Sequence, residues 1–260
     1  MRLTKRILSL DAVLALSVSL LVAGCGSTAA SPVSSAASTA AESTTSSVAS
    51  ETTSAAADEN EAAAAQLLND LTGSYQELWP VILADEYQQI WLDDCTALVG
   101  EENAEAAFEK LSSMVTGDVY GEDAVEAYAN GGGAYFCGFT NSLATLTFDG
   151  ETSTISGTDK DGNVLFSHTY HYIGMEPVHG LYEFESDDAD SGEFTYFFLA
   201  PDTSAETYHI EFRYGSDAEA LSQYDAGEYA YWLASGISTD CDQTMIDNCI
   251  ELFCTENLAG

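Results

Sequence analysis

Histidine is scarce in this chain. Only His168, His171, His179 and His209 occur, and imidazole is the side chain best suited to ligating a borderline metal ion or moving protons near neutral pH. His209 lies within Thr207-Tyr208-His209-Ile210-Glu211-Phe212-Arg213-Tyr214. Read as a strand, this run puts Tyr208, Ile210, Phe212 and Tyr214 on one face and Thr207, His209, Glu211 and Arg213 on the other. The polar face fits either solvent or the lumen of a barrel; in a lumen Glu211 and Arg213 would pair and His209 would be placed to ligate. His168 and His171 share another run but point to opposite faces, so they cannot ligate one ion together from that strand. His179 sits near a turn. Besides Cys25, five cysteines, Cys95, Cys137, Cys241, Cys249 and Cys254, are spread without a C-x-x-C spacing, which argues against a thioredoxin-like redox pair or a zinc ribbon. A bridge from Cys95 to one of the three C-terminal cysteines is a reasonable expectation. The acidic run 187–193 lacks the EF-hand spacing and reads as a solvated turn. No G-x-S-x-G, H-E-x-x-H, Walker loop or strand-linked G-x-G-x-x-G is present, and no nucleophile–base pair stands out, so no enzymatic activity is expected.

The elements that must position these residues follow from periodicity. Apolar residues recur at helical spacing over 61–71, 75–98 and 104–115, with Pro80 fitting a first helical turn or a kink. From Gly133 the period becomes two. Seven strands are expected, at 134–139, 143–148, 152–156, 163–173, 178–185, 194–199 and 207–214, joined by Gly- and Asp-rich turns. A meander of this length closes into a barrel or folds as a sandwich. Helices over 217–224, capped by Ser216, and 244–254 end the chain. The fold class expected is α+β, mainly β: a barrel-like core with N-terminal and C-terminal helices.

The chain begins with Arg2, Lys5 and Arg6, then an apolar stretch over 12–22 too short to span a bilayer. Val22-Ala23-Gly24-Cys25 resembles the lipobox of bacterial lipoproteins. That resemblance implies that residues 1–24 are a signal peptide and that Cys25 carries the lipid, placing the protein at the cell membrane, lipid-anchored on its extracellular face. Residues 25–57, dominated by Ser, Thr and Ala, read as a tether, and 58–260 as one domain. From 43 acidic residues cleavage removes only Asp11, and of six cationic ones it leaves Lys110, Lys160 and Arg213. The mature chain is therefore more acidic than the whole-chain charge of −37. Such a charge repels nucleic acid and anionic lipid surfaces; the partners left are cations, neutral molecules and basic proteins.

Three segments carry a resemblance to a known family. Thr72-Gly73-Ser74-Tyr75-Gln76-Glu77-Leu78-Trp79-Pro80 resembles the aromatic opening of ZinT (YodA) proteins. Tyr170-His171-Tyr172-Ile173-Gly174 resembles their Tyr-x-Tyr-x-Gly strand. Ala205-Glu206-Thr207-Tyr208-His209-Ile210, with Gly215 and Ala218-Glu219-Ala220-Leu221, resembles their Ala-Glu-His-Phe-His-Ile strand and following helix. The order is kept across about 70–256. The resemblance implies a lipocalin-like (calycin) barrel with extra helices that binds zinc and recruits it for uptake, in association with a metal-uptake transporter component. It also implies three histidine ligands, of which His209 keeps one. Thr207 replaces the first of the His-x-His pair, and no histidine occurs near 197–200, where the third would fall. Replacement donors would come from His168, His171, Glu211 or Asp202. Binding of a divalent metal, zinc first, is the leading expectation; the second is a metal-free barrel that holds a small molecule or partner protein.

Overall fold

The computed structural model describes residues 48–201 and 209–259, with side chains from residue 59. The expected signal peptide over 1–24, Cys25, Asp202, Thr207 and Tyr208 lie outside the described residues. Helix α1, Val48–Asp70, begins ahead of the expected start at Glu61. Leu67, Leu68 and Leu71 of this segment are buried against the barrel core. Among the described residues no helix is long and apolar enough to cross a membrane.

The chain next forms a strand inside a segment expected to be helical. β1, Gly73–Glu77, alternates so that Tyr75 enters the lumen, its ring edge-on to Phe148 at 5.7 Å. Helix α2, Leu78–Ile82, follows directly and holds Pro80 in its first turn, where the missing N–H costs no intrahelical bond. Helices α3, Gln88–Val99, α4, Ala104–Val115, and α5, Glu122–Ala129, come next; α5 was not expected from the periodicity. The run 134–139, expected as a strand, makes only isolated bridges from Phe136 to Thr116 and Trp232.

The meander then runs as β2, Thr145–Asp149, β3, Thr154–Thr158, β4, Val164–Met175, β5, Tyr182–Ser186, β6, Tyr196–Leu199, and β7, His209–Gly215. After helix α6, Ala218–Leu221, comes β8, Ala234–Ser238, a strand poor in β-branched residues that periodicity does not reveal. β8 pairs antiparallel with both β7 and β1, and the sheet closes in the order β1 to β8. Gly236 permits that closure: a Cβ there would sit 3.1 Å from Ile210 Cγ1 on one neighbour and 3.4 Å from the Gln76 carbonyl on the other. Helix α7, Gln243–Leu258, ends the fold. Closure removes the sheet edges, and the closed barrel with flanking helices is the lipocalin-like architecture that the resemblance implied.

Two apolar layers hold this arrangement. Inside the barrel, Phe166, Tyr170, Phe184, Phe197, Phe212 and Tyr214 are buried together. Phe197 lies 5.4 Å from both Tyr170 and Tyr214, and the Tyr214 hydroxyl accepts a 2.6 Å hydrogen bond from the Thr140 N–H. Outside, Leu78, Trp79, Ile82, Trp91, Leu111, Ile246 and Ile250 pack as a second cluster that includes Ile237 of β8. Helices α2, α3, α4 and α7 thus lie over the outer face of the barrel. Trp91, fully buried, donates its indole N–H to the Ile82 carbonyl at 2.7 Å.

Candidate metal centre

On β7 the alternation read from the sequence is present, with its faces assigned by packing. Ile210, Phe212 and Tyr214 belong to the lumen cluster. His209, Glu211 and Arg213 therefore face out of the barrel, toward the helices and loops that cover this wall. His209 pairs across the ladder with Ile237, whose side chain belongs to the outer apolar cluster. The lumen placement considered for the polar face is thus corrected: aromatic rings fill the lumen, and the polar stripe is sandwiched between sheet and helices.

Arg213 shows what that sandwich requires. The side chain is fully buried. Its guanidinium donates to the backbone carbonyls of Leu221 and Tyr229, and to that of Gln223 at 3.1 Å, and it stacks over the Tyr224 ring at 4.2 Å. Desolvation pulls its pKa below the usual guanidinium value, with Tyr224 countering the shift. Its role is to satisfy loop carbonyls after α6 that no ladder reaches. The local cap is Asp217, which accepts from the Ala220 N–H at 3.1 Å in place of the expected Ser216.

His209 and Glu211 line one small cavity with Cys249 and Glu256 of α7, walled by Leu78, Trp79, Ile82, Leu252 and Phe253. Trp79 and Phe253 meet edge-on at 4.7 Å and close one side. The free volume is about 30 Å³, room for an ion or a water or two and far too little for an organic ligand. His209 and Glu211 are half-buried, Cys249 is buried and Glu256 is exposed at the rim. Burial pushes the Cys249 thiol up to about 12, and the carboxylates of Glu211 and Glu256 add to the shift. One imidazole, two carboxylates and one thiol are donor types suited to zinc. Among the described residues, no three His, Cys, Asp or Glu side chains are already gathered tightly enough to hold a metal ion.

The other histidines lie elsewhere. His168 Nδ1 is 2.7 Å from Asp188 Oδ2, and His171 Nδ1 is 2.8 Å from Asp187 Oδ1. A carboxylate accepting from Nδ1–H favours the tautomer that leaves the Nε2 lone pair for a ligand, a pairing found behind ligating histidines. The rings lie on opposite faces of β4, as read from the sequence. His168 packs beside Phe166 on the lumen side, while half-exposed His171 brings Nε2 to 4.0 Å from Glu185 Oε2. Two donors fall short of the three or four that a zinc centre needs. The His179 ring lies tilted against Tyr224, centroids 3.8 Å apart, beside the buried Glu176, which accepts from the backbone N–H groups of Val178 and His179 at 2.9 and 2.5 Å. That carboxylate organises the turn between β4 and β5. The expected donor set is thus divided: the structure brings His209 and Glu211 together and leaves His168 and His171 apart from them. Cys249 and Glu256 were missed because only the packing of α7 on β7 brings them there.

No family model and no curated protein matches the sequence. Solved structures do. One is the Zn(II)-bound ZinT-like domain of Streptococcus pneumoniae AdcA: 17% identity, 71% of this chain and 89% of that one covered, TM-score 0.44. Another is the Zn(II)-bound AdcA from Streptococcus pneumoniae: 16% identity, 72% of this chain covered but 35% of that one, TM-score 0.43. The likeness is one of fold.

Proposed function

We propose that this protein is a surface lipoprotein whose barrel domain binds a divalent cation, zinc in particular, and holds it for capture or delivery to an uptake system. The observation that carries the reading is the cavity between β7 and α7, sized for an ion and lined by His209, Glu211, Cys249 and Glu256. The ZinT-like motif resemblance points independently to His209. Zinc bound there would be cargo, held by nitrogen, oxygen and sulfur donors whose coordination requires the imidazole neutral and the thiol deprotonated. His209 supplies the nitrogen, Glu211 and Glu256 neutralise charge, and Cys249 supplies the soft donor that calcium and magnesium do not favour. The acidic surface concentrates cations of every kind, so selectivity rests on His209 and Cys249. The role is binding, without a catalytic step.

The test is the zinc content of the purified soluble domain, residues 58–260, after equilibrium dialysis at micromolar free zinc with millimolar calcium and magnesium present. One zinc per chain is expected. A chain that retains none under those conditions does not have this function.

A further inference from the structure

We propose that Cys95 of α3 and Cys254 of α7 form a disulfide that fastens the last helix to the helical layer over the barrel. Their Sγ atoms lie 4.0 Å apart, in contact across the α3–α7 interface, and both residues are fully buried. A disulfide brings the sulfurs to about 2.05 Å, so a closure of roughly 2 Å, shared between two side-chain rotations, completes the bond.

The other candidates are directed elsewhere. Cys249 lies on the same helix but lines the cavity beside His209. Cys241 precedes the helix and is only partly buried. Cys137 faces the backbone carbonyl of Tyr135. Helical spacing explains this division, because residues 249 and 254, five apart, are turned well away from one another around the helix axis. Three connections from Cys95 are open in the sequence, and packing selects one.

The chemistry is thiol–disulfide exchange. One cysteine thiolate attacks a small disulfide oxidant such as glutathione disulfide, forming a mixed disulfide and releasing one glutathione thiolate. The second cysteine thiolate then displaces the remaining glutathione, which takes up a proton from solvent. Two protein thiols are oxidised and one glutathione disulfide is reduced to two glutathiones. In the packed state burial holds both thiols above their ordinary range, and the neighbouring Cys95 raises Cys254 further, while the contact with Cys254 partly offsets the shift of Cys95. Exchange therefore proceeds while the C-terminal helix is open, and the product is shielded once it packs. The bridge ties one wall of the ion-sized cavity in place and leaves Cys249 as a thiol.

The experiment uses the full chain, equilibrated in a glutathione/glutathione disulfide buffer at a urea concentration just below the unfolding midpoint, where α7 opens locally. Remaining thiols are blocked with N-ethylmaleimide, and the protein is digested without reductant by a glutamyl endopeptidase, whose cleavage after Glu251 separates Cys249 from Cys254. The expected result is one linked pair of fragments carrying Cys95 and Cys254, lost on reduction, with a fall in melting temperature of roughly 5–10 °C when the bond is reduced. Recovery of Cys95 and Cys254 as blocked thiols, or of Cys95 joined to Cys249 or Cys241, overturns the proposal.

Discussion

At the scale of single residues, Arg213 shows how a polar pattern acquires its meaning from what covers it. Alternation separated His209, Glu211 and Arg213 from Ile210, Phe212 and Tyr214, and that division holds in the fold. The environment of the polar face was not legible, because period two says which residues share a face and nothing about what lies beyond it. Arg213 satisfies carbonyls of the loop after α6 rather than lining a lumen. Replacing it with Met removes those donors and leaves buried carbonyls unpaired. We expect Arg213→Met to lower stability by about 3 kcal/mol or more, measured by urea unfolding. A loss below about 0.5 kcal/mol, the range of ordinary surface substitutions, would show that the loop finds other donors. The same limit applied to Cys249 and Glu256. Neither belongs to a motif, and their place beside His209 follows only from the docking of α7.

At the scale of elements, the strands whose chemistry is alternating and aromatic were legible, and those that close the barrel were not. β2 to β7 lie within or close to the expected runs. β1 was hidden because Tyr75, Leu78 and Ile82 also satisfy a helical period, and β8 because Ala234, Ser235 and Gly236 carry little strand preference. Their pairing is dictated by closure, a demand made by the other six strands. α7, expected over 244–254, was legible in its apolar periodicity and close to its start, while the structure adds its cap: Asp242 accepts from the Met245 N–H at 3.0 Å. Because α7 carries one wall of the cavity, its cap matters to the site as well as to the fold. Asp242→Ala should cost about 1 kcal/mol in unfolding free energy. An unchanged urea midpoint would mean that helix–sheet packing alone sets the start of α7.

At the scale of the whole molecule, an acidic barrel domain follows an N-terminus proposed to carry lipid on Cys25. Cys25→Ala should move the protein from the detergent phase to the aqueous phase in a Triton X-114 partition. Retention of the variant in the detergent phase would contradict the lipoprotein reading. The lumen of the barrel is taken up by its own aromatic rings, so the proposed binding site lies on the outer wall, where residues of β7 and α7 line an ion-sized cavity. The measurement that tests this most directly is zinc titration calorimetry at neutral pH and physiological salt on the wild-type domain and on His209→Ala, with circular dichroism establishing that both are folded. The account predicts saturable binding of one zinc by the wild type, with proton release on binding as the donors deprotonate, and affinity at least about 10-fold weaker in the variant. Equal zinc affinity in the two proteins, or no wild-type binding below about millimolar zinc, would contradict it.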